Sequence, residues 1–160
     1  MPDCFTAIDA KNDGLCIRPA TGADAEAMLP LIRSHAEYEH GRVSVSETAL
    51  RSALDGTPAV LAAWIAIQGG WLVGYASATV DFSTWTGQPF LYLDCLFVQD
   101  CCRGLGVGAK LLAAVRAHAA ERQLAEIQWQ TPDWNHDAIR FYRREGASSL
   151  PKARFFLSVG

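Results

Sequence analysis

The 160 residues amount to about one domain, and with half of them apolar and 19% charged the chain is not a disordered tail. No run approaches the roughly 18 uncharged apolar residues of a membrane span, and Met1-Pro2-Asp3 lacks the basic-then-apolar layout of a signal peptide, so a cytoplasmic protein without membrane association is expected. A net charge of −3 argues against a nucleic-acid partner, because duplex binding rests on an excess of Lys and Arg.

Residues 1–14 read as a loose lead-in, and a single folded domain is expected over residues 15–160. Residues 15–18 predict a short strand. Thr21 is an N-cap, Asp24 and Glu26 fall in the first turns after it, and Ala25, Met28, Leu29, Leu31 and Ile32 recur at helical spacing, which predicts a helix to about Glu39. Ser46 precedes a shorter helix through Leu50 and Leu54, closed by Gly56 with Pro58 beyond it. Residues 59–67 and 71–80, joined by Gly69-Gly70, read as a hairpin. After a connection over 83–89, residues 90–98 are apolar on both faces, as a central strand would be. Val107, Leu111, Leu112 and Val115 share one helical face that runs from Gly106 to Arg122, and residues 126–130 read as a strand. Asn135 caps a last helix through Glu145, Gly146 ends it, and residues 155–159 are expected to close the chain as an edge strand. The pattern is a mixed α/β (α+β) domain with helices packed on a largely antiparallel sheet.

The sharpest local feature is Arg103-Gly104-Leu105-Gly106-Val107-Gly108, set between a buried strand and a helix. Glycines at every second position let the backbone approach a ligand and present N–H groups, and a helix N-terminus adds a favourable field for anions. The run is neither a Walker A loop nor a Rossmann fingerprint, since Lys110-Leu111 stand where either would need other residues. Read on glycines alone, it is an anion site or a tight strand-to-helix turn. Charge is also unevenly divided along the chain. Residues 1–100 hold 12 acids and 5 bases, and residues 101–160 hold 5 acids and 9 bases, a split that fits either a cation site in one part and an anion site in the other or solvated surface charge unevenly spread.

Arg103-x-x-Gly106-x-Gly108 after Leu93-Asp94-Cys95-Leu96-Phe97-Val98 resembles the acetyl-CoA-binding motif of the GNAT N-acetyltransferase superfamily. Trp134-Asn135, followed by Ala138-Ile139-Arg140-Phe141-Tyr142 and Gly146-Ala147, is similar to that superfamily's next motif. Ile17-Arg18-Pro19-Ala20-Thr21, Tyr38-Glu39, residues 82–89 and Leu91-Tyr92-Leu93 look like its spermidine/spermine (diamine) branch. The resemblance spans roughly residues 15–150. It implies a GNAT-like sheet flanked by helices on both faces, acetyl-CoA as cosubstrate and a homodimer.

The resemblance also implies roles for particular residues. Leu96, Phe97 and Val98 would meet the acetyl and pantetheine part through backbone groups of a splayed or bulged strand. Amides of Arg103, Gly104, Leu105, Gly106, Val107, Gly108 and Ala109 would hold the pyrophosphate, and Asn135 and Ala138 would face the cofactor. Tyr142 would give a proton to the departing thiolate, consistent with a phenol that stays protonated at neutral pH. Asp94 takes the position of the family's base-like Glu, through which an ammonium of pKa about 10.4 would lose its proton directly or through water. The family's Glu-Asp pair reads Asp94-Cys95 here, so this carboxylate is one methylene shorter and the second acid is missing. Tyr38, Glu39, Trp85 and Asp94 would line the amine channel, with aromatic faces suited to a cation.

The expected activity is acetyl transfer to a primary amine of a small polycation, by direct attack in a ternary complex. Other acceptors remain open: an aminoglycoside, a thialysine-like amino acid, or a protein Lys or N-terminus. A CoA-binding module without turnover is the reading outside catalysis. Five cysteines, Cys4, Cys16, Cys95, Cys101 and Cys102, are an odd number without C-x-x-C spacing, so no disulfide framework is expected. His35, His40, His118 and His136 show no ligand spacing with acids or cysteines. They read as packing or solvent-exposed residues, and no metal is expected.

Overall fold

Thr21 and Asp24 govern how the chain enters its first helix. The Asp24 carboxylate accepts from the Arg18 guanidinium at 2.7 and 2.9 Å and from the Thr21 N–H at 2.8 Å. The Arg18 hydrogen bonds lead in drawing the Asp24 pKa down to about 2, against the cost of burial. The computed structural model describes residues 14–160, so the lead-in expected over 1–14 lies, Gly14 apart, outside the described residues. β1 (Cys16–Pro19) is followed by a 3-10 turn (Gly22–Asp24) and then α1 (Ala25–Tyr38), so the helix expected from Thr21 opens with a tighter turn. α2 (Glu47–Asp55) is capped by the Ser46 hydroxyl, which accepts from the Ala49 N–H at 3.1 Å.

β2 (Ala62–Gln68), β3 (Trp71–Ser83) and β4 (Gln88–Val98) form a meander. Gly69 and Gly70 turn the first hairpin at φ values of 57° and 83°. The connection expected over 83–89 shrinks to a turn, because pairing continues to Ser83 opposite Gln88. A 3-10 turn (Asp100–Cys102) leads to α3 (Val107–Glu121), and β5 (Ile127–Gln128) follows. The five strands lie in the order β1-β2-β3-β4-β5, antiparallel except for β4 and β5, which are parallel.

Helices cover both faces of this sheet. Ala63, Ile65, Tyr75 and Phe97 pack with Ala25, Met28 and Leu31 of α1 and with Leu50 and Leu54 of α2. On the other face, the Trp64 ring meets the His118 ring of α3 at 5.1 Å, edge to face. A Cβ at Gly74 would lie 2.8 Å from the Phe97 carbonyl oxygen and 3.3 Å from Leu111 Cδ1, so glycine is what lets β3 run this close to β4 and α3. Met28, Leu31, Leu111 and Leu112 are fully buried, each contributing about 1.5–3 kcal/mol through area removed from water.

These elements make up a first compact unit that ends at Gln130, and a second begins at Thr131. The second holds α4 (His136–Arg144), whose N-cap Asn135 accepts from the Ala138 N–H at 3.1 Å through its side-chain oxygen. The edge strand expected over 155–159 does not form. The chain from Ala147 to Gly160 carries no helix or strand, and Phe155, Phe156, Leu157 and Val159 are exposed. Four apolar residues in five positions lack the alternation of an edge strand with one solvated face. The strand expected over 126–130 is also shorter, two residues paired with Leu91 and Tyr92. Among the described residues no helix is long and apolar enough to cross a membrane.

Candidate active site

Strand β4 carries the irregularity around which the site is built. Its register with β3 shifts between Ser77 and Ala78: Ser77 stands opposite Cys95 and Ala78 opposite Leu93, which leaves Asp94 as an extra residue without a cross-strand partner. The Asp94 side chain is thereby exposed at a bulge in the middle of an otherwise half-buried strand. On its other edge β4 pairs with β5 at Leu91 and Tyr92, so among the described residues Leu93 to Val98 have β3 on one side and no strand on the other. Apart from the Val98 carbonyl, which accepts from Arg103 Nε, backbone groups along that edge suit a ligand, as an unpaired template edge does.

A row of polar side chains runs beside Asp94, all of it within the first unit. The Cys95 thiol donates to Asp94 Oδ2 at 3.6 Å and stands opposite Ser77 across the β3–β4 ladder. The Tyr75 hydroxyl lies 3.0 Å from His35 Nδ1, and His35 Nε2 lies 3.4 Å from Glu39 Oε1. His35 stacks on Phe97 with ring centroids 5.0 Å apart. Burial lowers the His35 pKa, opposed by the charges of Glu39 and Asp94. Burial also raises the Tyr75 pKa, and burial followed by the Asp94 charge pushes the Cys95 thiol up to about 11. At neutral pH the row therefore holds a neutral imidazole, a phenol and a thiol between two carboxylates.

Arg103 closes this group from the side of the glycine turn. Its guanidinium sits 4.5 Å from the Tyr38 ring centroid and 5.6 Å from that of Phe97, its Nε donates to the Val98 carbonyl at 3.0 Å, and it pairs with Asp100 at 2.9 Å. The Arg103 N–H donates to the Asp100 carbonyl at 3.2 Å. Gly104 and Gly106 then adopt φ values of 77° and 81°, and Gly106 caps α3 in the left-handed conformation. A Cβ at either would meet nothing within 4 Å, so these glycines serve the backbone conformation rather than a close approach within the chain. The first-turn N–H groups of Val107, Gly108 and Ala109 have no intrahelical acceptor by the geometry of a helix start. With the end of the helix dipole behind them, they suit an anion such as a pyrophosphate.

The structure thus brings Tyr38, Glu39, Asp94, Phe97, Val98 and Arg103 into one neighbourhood. Trp85 stands apart: it is 95% exposed at the tip of the β3–β4 hairpin. That tip lies beyond Ser83, five ladder positions from Ala78 and so about 17 Å along the strands from the bulge. In the second unit, Tyr142 lies on α4 with its ring 5.1 Å from that of Phe141, and the side-chain oxygen of Asn135 is engaged in the helix cap. His35 and Tyr75 are site residues that the sequence motifs do not single out, and Cys95 enters those motifs only as the place of a missing acid. One signal for His35 is present in the sequence, since His35 and Glu39 are four residues apart and share a helix face.

A family model described as the acetyltransferase (GNAT) family matches residues 26–147. The thialysine N-epsilon-acetyltransferase of Bos taurus is 35% identical over 149 residues, covering 86% of this chain and 86% of that protein. The Homo sapiens spermidine/spermine N(1)-acetyltransferase-like protein 1 is 30% identical over 143 residues, covering 84% of this chain and 20% of that protein. A solved aminoglycoside acetyltransferase from an uncultured soil metagenomic sample, in complex with trehalose, shares the fold with a TM-score of 0.79. It is 20% identical, and the match covers 93% of this chain and 99% of that one.

Proposed function

The chain belongs to the acetyltransferase (GNAT) family and is an acetyl-transferring enzyme that acts on amines with acetyl-CoA as donor; from that premise we propose that its acceptor is a primary amine of a small aliphatic polycation, of the diamine or polyamine kind. The observation that carries this reading is the Asp94 bulge, a carboxylate exposed in mid-strand with Glu39 at the far end of the row beside it. Two acids on either side of one neutral imidazole suit a molecule with more than one ammonium group.

Bound acetyl-CoA supplies the acyl group in activated form, as a thioester. The residues present fit it. The open edge along Leu96 to Val98 offers backbone groups, apart from the Val98 carbonyl held by Arg103, to the acyl and pantetheine part, and the turn from Gly104 to Ala109 offers amides and a helix N-terminus to the pyrophosphate, the Arg103 N–H being engaged by the Asp100 carbonyl. We assign Asp94 the role of taking a proton from the incoming ammonium, directly or through one water, since only the neutral amine can attack. Tyr142 supplies a proton to the departing sulfur, and Asn135 and Ala138 complete the cofactor side. These roles in the second unit rest on the resemblance of residues 134–147 and on the family match across 26–147. A single N-acetyltransferase domain over 15–160 and a homodimer belong to the same reading. Support for the dimer comes from the exposed Phe155, Phe156, Leu157 and Val159, an apolar run of a kind that associating surfaces cover.

A lysine-like side chain is a second reading, favoured by the name of the relative at 35% identity. The deciding experiment mixes purified protein, acetyl-CoA and a panel of spermidine, putrescine, thialysine, lysine and an aminoglycoside, and follows thiol release. The expected result is the highest kcat/KM on the diamine or polyamine. Turnover confined to thialysine moves the assignment to the second reading, and turnover confined to the aminoglycoside overturns both.

A further inference from the structure

We infer that His35 is a positioning residue for ammonium recognition: its neutral imidazole, held by Tyr75 and Phe97, orients Glu39, and its protonation places a competing positive charge between Glu39 and Asp94 and turns recognition off. This rests on the reading that Glu39 and Asp94 face the amine.

The geometry sets the direction of every hydrogen bond. Glu39 Oε1 can only accept, so the His35 Nε2 facing it at 3.4 Å carries the proton. Nδ1 is then the lone-pair nitrogen of the neutral ring, and the Tyr75 hydroxyl 3.0 Å away donates to it. Tyr75 is buried at 2% exposure, so its hydroxyl must find a partner inside the protein, and Nδ1 supplies it. Nearby, Cys95 gives its one proton to Asp94 Oδ2, 3.6 Å away. Phe97, stacked on the imidazole at 5.0 Å, fixes the plane of the ring.

Adding one proton to His35 makes Nδ1 a donor. The Tyr75 oxygen must then accept, and its own proton loses the acceptor it had. The imidazolium also becomes a fixed positive charge between the two carboxylates meant for the substrate. The charged and titratable groups facing His35 are Glu39 from the end of α1, Tyr75 from β3, Asp94 from β4 and Arg103 from the loop before α3. Burial and Arg103 favour the neutral ring, and the two acids oppose them, so protonation falls on the acid side of the ordinary histidine value.

The test measures binding rather than rate, because the fraction of neutral amine changes with pH and masks any effect in turnover. Putrescine is titrated onto the CoA-saturated protein between pH 7.5 and 5.5, a range in which both its ammonium groups stay charged. The Kd of the unaltered protein is expected to rise at least fivefold on acidification, while that of His35→Asn, whose side-chain oxygen can still accept from Tyr75, changes less than twofold. Tyr75→Phe removes the donor to Nδ1, so the imidazole titrates at higher pH by nitrogen NMR and the loss of putrescine binding moves with it. The same NMR measurement on the unaltered protein is expected to show the Nε2–H tautomer at neutral pH. An Nδ1–H tautomer, or equal pH dependence in the unaltered protein and His35→Asn, overturns the assignment. Failure of putrescine to bind at pH 7.5 overturns the amine reading itself, and with it any part for His35 in recognition. An Nε2–H signal would then leave the hydrogen-bonded row standing as a purely structural feature.

Discussion

Replacing Gly106 with Ala tests whether the turn before α3 is built for a ligand. Gly106 holds φ 81° and ψ 0°, where an L-residue is strained by about 1–2 kcal/mol. Its Cβ would meet nothing within 4 Å, so strain is the whole penalty and no clash adds to it. If the left-handed conformation survives, the strain appears as stability, a drop in Tm of about 2–4 °C per kcal/mol for a chain of this size. If the backbone relaxes instead, the peptide to Val107 rotates and the amides at the helix start lose their common direction. An equal loss then appears in binding, and 1.4 kcal/mol is about tenfold in Kd. Gly87 supplies the control, because its φ is 66°, its Cβ also meets open space, and it sits at the tip of the β3–β4 hairpin. Calorimetric titration with CoA is expected to give a Kd raised about tenfold for Gly106→Ala with little change in Tm, and an unchanged Kd for Gly87→Ala, which melts a few degrees lower. A CoA Kd within twofold of the original in a Gly106→Ala variant whose Tm is also not lowered, the sign of a relaxed backbone, would refute the cradle.

Tyr142→Phe is expected to cut kcat by about 10²-fold or more while the CoA Kd stays within threefold; equal losses in both would make the phenol a binding group rather than a proton donor. Asp94→Asn removes the carboxylate that accepts from the Cys95 thiol, and it should flatten the acid limb of the pH profile of kcat/KM; an unchanged profile removes Asp94 from the mechanism. Asp24 makes a prediction about acid stability. Its folded pKa of about 2 lies below the ordinary 3.8, so its stabilisation is present above that ordinary value and is lost as pH falls through about 2. With Arg18 42% exposed and screened by solvent, the contribution is about 1 kcal/mol, and Asp24→Asn should remove it at neutral pH and flatten the acid side of the stability curve, as chemical denaturation at pH 7 and pH 3 would show.

Features written into short stretches of chain are legible in the sequence alone. Ser46 and Gly56 bracket α2, Gly69-Gly70 turn the hairpin, and Asn135 caps α4, each because a side chain or a glycine serves the backbone beside it. The glycine turn and its place between β4 and α3 are legible for the same reason, and the resemblance adds acetyl transfer. What stays hidden depends on a partner distant in sequence. Residues 155–159 are β-prone, yet no periodicity reveals whether a strand partner exists. His35 reads as one more helix residue until β3 brings the Tyr75 hydroxyl to 3.0 Å from it across forty positions of chain. Cys95 looks like a lost acid in a motif, and only the cross-strand pair with Ser77 shows it among hydroxyls.

The bulge at Asp94 ties these hidden pieces to the visible ones. Opposed residues share a face, so Cys95 with Ser77 and Phe97 with Tyr75 lie toward α1, where Phe97 and Tyr75 join the core with Met28 and Leu31. Two residues earlier the assignment is reversed. Leu93 pairs with Ala78 and Leu91 with Val80, and Ala78, Val80 and Leu91 line one cavity together with His118 and Arg122, at and just beyond the end of α3. In an unbroken strand, residues 91, 93, 95 and 97 would all share a face. A single extra residue therefore lets Leu91 and Leu93 serve α3 while Cys95 and Phe97 serve α1, and it leaves its own carboxylate outside the ladder. Deleting that irregularity would bury the wrong side chains on both faces, so the fold itself requires the unpaired position that the proposed chemistry uses.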